Sequence, residues 1–277
     1  MKILPFIQVR RWIVRILFTT KQRKKYVCWL KIMHKDGTQD ETVLTADRFL
    51  GPYTKVREGL RPLNMSAGDF DLVVAPDGKA YYMFERVHSE TIIADLTDDY
   101  TDVTGYYSTH FPHPYPPYVR EATAHFMRNG KHYLITSGTT GYLPNPSEVA
   151  VADTWHGPYT VLGNPHPGDE TDTSYHSQIS SVFKVPGKKD LYIACADRWL
   201  PNAMDKDYHV YKKMFEAIFS GKKEEFDFSS MGEPVVEETR IADYVWLPLR
   251  FAEPCEEYPN GMVFVDWKDE WRIEDYE

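Results

Sequence analysis

Short apolar runs of strand length, rather than helical spacing, dominate the pattern of hydrophobic and polar positions along this chain. The clearest pair, 122–127 and 132–137, flanks the turn Arg128-Asn129-Gly130-Lys131. Asn and Gly both accept positive φ, so this dipeptide between β-prone runs predicts a tight hairpin. Glu121 opens the first strand, and Thr139-Thr140-Gly141-Tyr142 follows the second. A carboxylate, hydroxyls and an aromatic ring therefore emerge at one end of the hairpin. Such a strand mouth suits a sugar.

The hairpin recurs. A lysine followed by a tyrosine-bearing apolar run appears at Lys25-Tyr26, Lys79-Ala80-Tyr81, Lys131-His132-Tyr133 and Lys189-Asp190-Leu191-Tyr192. Tyr26, Tyr81, Tyr133 and Tyr192 are spaced by 55, 52 and 59 residues, each phrase following a turn. A second phrase ends in Ala-Asp at Ala46-Asp47, Ala94-Asp95 and Ala152-Asp153, and twice runs on to Gly-Pro-Tyr-Thr, at Gly51 and Gly157. Four short strands in fifty-odd residues, repeated, predict β-propeller blades, because a sheet apolar on both faces must be sandwiched by neighbours. The fold class expected is thus all-β. A β-sandwich would space its strands evenly without the repeated phrase. One helix is expected, over 208–220 and closed by Gly221. It lies in a charged stretch, 200–242, that breaks the repeat before strands resume at Tyr244. Tyr244 follows Tyr192 by 52 residues, so it begins either a fifth blade or the outer half of the fourth.

Charge narrows the partner. The net charge is −9, yet residues 1–35 hold ten Lys or Arg and no Asp or Glu, leaving −19 for the remainder. An acidic body argues against nucleic acid and suits a neutral ligand met by hydrogen bonds and ring stacking. Cys28, Cys195 and Cys255 lie far apart, so neither a disulfide framework nor a zinc spacing is present. No run approaches the ~20 apolar residues of a membrane span, and Arg10, Arg11 and Arg15 interrupt any signal-peptide core. His110, His113 and His125 are scattered, so no metal is expected, and no cofactor is called for.

Five stretches in order carry a family likeness: Arg120-Glu121-Ala122, 136–145, Ser177-Gln178-Ile179-Ser180, Ala196-Asp197-Arg198-Trp199 and Tyr244-Val245-Trp246-Leu247-Pro248. From about Lys25 to Trp271 the chain resembles glycoside hydrolase family 43, most closely the branch of exo-β-1,3-galactanases. The resemblance implies a five-bladed propeller hydrolysing glycosides with inversion, of which about four blades are present. It makes 1–24 a basic leader with the first strand of the first blade present, 25–277 the propeller, and 200–242 an insertion.

Residue by residue, the likeness makes Glu121 the general acid and Asp69 the aspartate that orients it and raises its pKa. Asp71, on the same strand face, rivals Asp69. Gln178 matches the glutamine that holds the water where the family elsewhere uses an aspartate base. Tyr142 is implied as a stacking platform, with Thr139, Asn145, Asp197 and Trp199 as sugar contacts. The branch also places a glutamate near 13–18, whereas no acidic residue precedes Asp36 here.

The expected function is removal of terminal β-linked galactose from galactan or arabinogalactan side chains, in an extracellular or periplasmic setting. Two readings stand beside it: an arabinofuranosidase or xylosidase of the same family, and a catalytically impaired carbohydrate-binding propeller fragment. With the expected first blade missing, feeble turnover and self-association through exposed blade faces are the further expectations.

Overall fold

The computed structural model describes residues 12–19 (backbone only), 24–231 and 235–277. The first eleven residues, and the expected turn before Lys24, lie outside that range. Sixteen strands and one α-helix are seen among the described residues. They form four four-stranded sheets, each running through its strands in chain order, so every sheet is a simple meander. The four strands and their repeat are the blades expected from sequence.

The chain divides into two compact units, one reaching Val87 and including Thr91–Thr109, the other comprising His88–Glu90 and His110–Glu277. The first unit holds the sheet β1 (Trp12–Thr19), β2 (Tyr26–Met33), β3 (Gln39–Ala46), β4 (Thr54–Leu60) and the sheet β5 (Ala67–Val74), β6 (Ala80–Arg86), β7 (Glu90–Leu96), β8 (Val103–His110). Its core is a single cluster with Val27, Trp29, Val43, Phe70, Tyr82, Phe84 and Ile92 fully buried. Trp29 packs against Tyr82, the rings tilted and their centroids 4.9 Å apart, and donates its indole N–H to the Tyr100 carbonyl at 2.8 Å.

The second unit holds β9 (Arg120–Arg128), β10 (Lys131–Gly138), β11 (Glu148–Ala152), β12 (Thr160–Gly163), and then β13 (Gln178–Lys184), β14 (Tyr192–Arg198), β15 (Asp243–Ala252), β16 (Met262–Val265). Alternate residues of these strands, among them Phe126, Tyr133, Ile135, Tyr192, Val245 and Leu247, form one core between the two sheets. The opposite face of the β9–β12 sheet is apolar as well. There Leu134 is fully buried, and Trp155 packs on His125 and His132. Burial lowers the His125 pKa to about 3, so this pair is neutral packing. The outer face of the β13–β16 sheet is partly bare: Phe183, Tyr244 and Trp246 are 46, 65 and 53% exposed.

Tyr26, Tyr81, Tyr133 and Tyr192 occupy the second strand of their respective sheets. The two Gly-Pro-Tyr-Thr phrases each lead into the outermost strand of a sheet. In both, the tyrosine hydroxyl donates to the carbonyl four residues back, Tyr53 to Phe49 and Tyr159 to Trp155. Asn129 and Gly130, at φ 53° and 77°, make the two-residue hairpin turn read from sequence. Of the two readings of Tyr244, the pairing of β14 with β15 selects the outer half of the fourth sheet. The segment between them carries α1 (Tyr208–Phe219), N-capped by Asp207, whose carboxylate accepts from the Val210 N–H at 3.1 Å.

One device recurs that the sequence pattern does not announce. The first strand of every sheet carries one extra residue relative to its neighbour, opposite Glu85 in β5 and opposite Thr136 in β9, with matching shifts in β1 and β13. Such bulges twist a strand and re-aim its side chains. In β9 the bulge is made by Ala122 at φ 50°, directly after Glu121.

Candidate active site

The site in the second unit is built on the innermost strands β9 and β13, which lie side by side. Arg120 anchors the start of β9. Its buried guanidinium donates to the Thr136 carbonyl at 2.7 Å and the Thr136 hydroxyl at 3.0 Å. Alternation turns the next side chain, Glu121, to the other face. Counting back from the Asn-Gly turn places Glu121 opposite Gly138, but the bulge at Ala122 shifts it opposite Ser137. Side chains of directly opposed residues share a face, so Ser137 stands beside Glu121.

Gln178 closes the group from β13. Its Nε2 donates to Ser137 Oγ at 2.7 Å and reaches Glu121 Oε1 at 3.4 Å, while its Oε1 accepts from Trp199 Nε1 at 3.0 Å. An indole N–H can only donate, so Trp199 fixes which end of the amide carries oxygen. The Glu121 contact is shorter than the ~6.5–9.5 Å by which acid and base straddle a sugar ring in inverting enzymes. Gln178 therefore stands beside Glu121 in this arrangement.

Asp197 lies opposite Gln178 in the strand register. Tyr142 meets Trp199 edge-to-face at 5.6 Å. Tyr142, Asn145, Gln178, Asp197 and Trp199 line one small pocket, whose other walls include Leu143, His176 and Leu200. Five of the sequence-predicted residues thus meet there, and Glu121 joins them through Gln178.

Thr139 and Asn145 hold the loop rather than present free groups. Thr139 donates to the Val119 carbonyl at 2.9 Å. The Asn145 amide donates to the Gly138 carbonyl and Thr140 Oγ1, and its oxygen accepts from the Gly138 N–H. Gly138 is required at this crossing, because a Cβ there would lie 2.6 Å from the Pro117 carbonyl oxygen.

The loop leading into Gln178 is strained. Ser174, Tyr175 and His176 run consecutively at φ 53–56°, with Asp172 at 53° before them. Left-handed backbone without glycine persists only where surroundings over-determine it. Here Asp169 supplies the constraint: its carboxylate accepts from the Thr171 hydroxyl and the N–H groups of Thr171, Thr173 and Tyr175 at 2.6–3.3 Å. Arg198 closes the turn from outside, donating to the Tyr175 and His176 carbonyls. Burial acts to raise the Asp169 pKa, but these hydrogen bonds outweigh it and hold the carboxyl below its ordinary range.

Asp169→Ala is accordingly expected to cost about 2–3 kcal/mol in unfolding and to lower turnover by misplacing Gln178. A depressed carboxylate stabilises the fold above its unfolded pKa, and that stabilisation is lost as pH falls through its folded pKa. The stability gap between wild type and variant should begin to narrow as pH falls below about 4 and go on narrowing toward the lower folded pKa. Chemical unfolding at pH 7 and pH 3 checks both.

Asp69 belongs to the first unit. It lies in the bulge of β5, and its Oδ1 pairs with Lys31 Nζ at 2.5 Å, both side chains being largely buried. Its rival Asp71 is 5% exposed and accepts from the Leu72 N–H. Close by, Glu41 is fully buried and accepts from the Tyr82 hydroxyl at 3.0 Å, while its Oε2 has no partner. Burial raises the Glu41 pKa to about 8; the Tyr82 hydrogen bond and Lys31 oppose this, and Asp40 and Asp69 add to it. Sequence reading passed over Ser137, Asp169 and Glu41. Only Ser137 left a signal there, as a member of the stretch 136–145 that carries the likeness; counting across the hairpin points to Gly138 instead.

Comparison with known proteins bears on this geometry. The family model for glycosyl hydrolases family 43 matches residues 19–211. No curated protein matches the sequence. Among solved structures, a family 43 β-1,3-galactosidase is similar at 25% identity and TM-score 0.67, covering 94% of this chain and 46% of that one. A second β-1,3-galactosidase, solved with galactodeoxynojirimycin, shows 23% identity and TM-score 0.68 over 93% of this chain and 75% of its own. An exo-β-1,3-galactanase from Phanerochaete chrysosporium, solved with β-1,3-galactotriose, shows 20% and 0.62 over 84% and 45%. This chain therefore spans about half the length of two of these relatives. With the family model matching well over half of its length, the chain belongs to glycosyl hydrolases family 43 and is all-β, with sheets of the propeller type.

Proposed function

We propose that this glycoside hydrolase removes terminal β-linked galactose from galactan or arabinogalactan side chains, with inversion at the anomeric carbon. The observation that carries the proposal is the chain Ser137–Gln178–Trp199, which holds an amide against Glu121 beside a pocket walled by Tyr142 and Trp199. Glu121 donates its proton to the departing glycosidic oxygen, and a water adds to the anomeric carbon from the opposite face, losing its extra proton to solvent, from which Glu121 is reprotonated. Gln178 keeps Glu121 in place on the leaving-group side. Its Oε1 retains a lone pair beyond the Trp199 bond for a hydroxyl or water.

The ring faces of Tyr142 and Trp199 pack on the apolar C–H face of the pyranose, with Asp197 accepting from its hydroxyls. Thr139 and Asn145 contribute by shaping the loop. Asp69 enters as a catalytic carboxylate on the resemblance alone. The β-1,3-galactosidase and galactanase descriptions of the similar structures support galactose as the sugar. An extracellular or periplasmic setting is proposed with that substrate. Among the described residues no helix is long and apolar enough to cross a membrane.

Incubation with β-1,3-galactan, followed by proton NMR of the earliest product, tests the proposal. Galactose appearing first as the α-anomer is the expected result. The β-anomer first would overturn inversion, and arabinose or xylose released from their own polymers, without galactose from galactan, would overturn the sugar.

A further inference from the structure

The segment between β14 and β15 does more than interrupt a sheet. Its helix α1 and the turn that follows enclose a cleft of about 360 Å³, walled mainly by apolar side chains of Leu143, Leu200, Val210, Tyr211, Met214 and Phe228. An engineered apolar cavity of about 150 Å³ already accepts benzene, and ligand pockets begin near 300 Å³. The cleft is therefore sized for one or two aromatic rings.

Two observations say what belongs there. Leu143 and Leu200 wall both this cleft and the small pocket beside Gln178, so an occupant of one adjoins the other. Gln178 touches Glu121, and a general acid stands on the leaving-group side of the bond it cleaves.

We propose that this cleft is an aglycone site for an aryl group carried on the glycosidic oxygen, so that the enzyme accepts aromatic β-glycosides besides glycan ends. The proposal rests on the reading of Glu121 as the acid. Phe228 and Val210, 40 and 42% exposed, stand at the mouth and provide variants that leave the fold intact.

The test is calorimetric binding of 2-naphthyl 1-thio-β-galactoside, methyl 1-thio-β-galactoside and 2-naphthol, none of which needs turnover. The naphthyl compound is expected to bind about 10–100-fold more tightly than the methyl one. Phe228→Ala should remove most of that ratio while leaving methyl thiogalactoside affinity unchanged. Equal affinity for the two thiogalactosides, or a ratio indifferent to Phe228→Ala, would overturn the aryl site and leave the galactose reading standing. Binding of 2-naphthol, sensitive to Phe228→Ala, without either thiogalactoside would support the aryl cleft and overturn galactose instead. Binding of none of the three would overturn the aryl site.

Discussion

Glu121→Gln is expected to lower kcat by about 10²–10⁴-fold on substrates whose leaving group is a sugar or an alkyl alcohol. That corresponds to about 3–5 kcal/mol of transition-state stabilisation. The substitution keeps the side chain's volume and its approach to Gln178 and Ser137, so the pocket keeps its shape. What disappears is the proton. An alkoxide is too basic to leave unaided, whereas a nitrophenolate leaves well enough to need little help. The loss on 4-nitrophenyl β-galactoside should therefore be smaller by at least about tenfold. Comparing kcat on the aryl galactoside and on β-1,3-galactobiose decides the matter. Equal losses would mean that Glu121 grips the sugar and does not donate to the leaving oxygen.

The framework of that site was legible because it rests on strong local signals. Asn129-Gly130 has one comfortable geometry between two β runs, and the hairpin followed from it. The tyrosine phrase fixed the second strand of each sheet, since a blade's middle strands are its most continuously apolar ones. Gln178 and Asp197 were named separately, and their pairing across β13 and β14 came only with the register.

The rest was hidden for physical reasons. Ala122 at φ 50° and the Ser174-Tyr175-His176 run violate local preference, so no propensity argument finds them. They are imposed by partners, Asp169 in the second case, that are recognised only once the loop is folded. Such conflicts between local and global preference gather at functional sites. The aryl-sized cleft was hidden differently. Its walls come from Leu143 in one blade and from α1 and Phe228 in the inserted segment, and no periodicity links them. Glu41 was missed because Gln39, Asp40 and Glu41 are three polar residues in a row with no apolar alternation, whereas β3 begins at Gln39 and carries Glu41 into the core.

That buried glutamate sets the second large expectation, a stability that falls as pH rises. In the unfolded chain Glu41 ionises near ~4.3, while burial holds it protonated in the fold until about pH 8. Between those values the native state binds one more proton than the unfolded state, so unfolding free energy drops with pH, by about 1.4 kcal/mol per unit. Summed over the window, the penalty approaches roughly 4–5 kcal/mol, most of an ordinary domain's stability. Glu41→Gln is an isosteric change that cannot ionise. It keeps an oxygen for the Tyr82 hydroxyl, and it leaves the Lys31–Asp69 pair intact. The variant should match wild type at pH 4 and exceed it by roughly 3–5 kcal/mol at pH 8. Urea unfolding of both proteins at pH 4, 6 and 8 measures the difference directly. Parallel pH profiles would show that Glu41 ionises in the fold at its ordinary pKa, with Lys31 as its effective counter-charge.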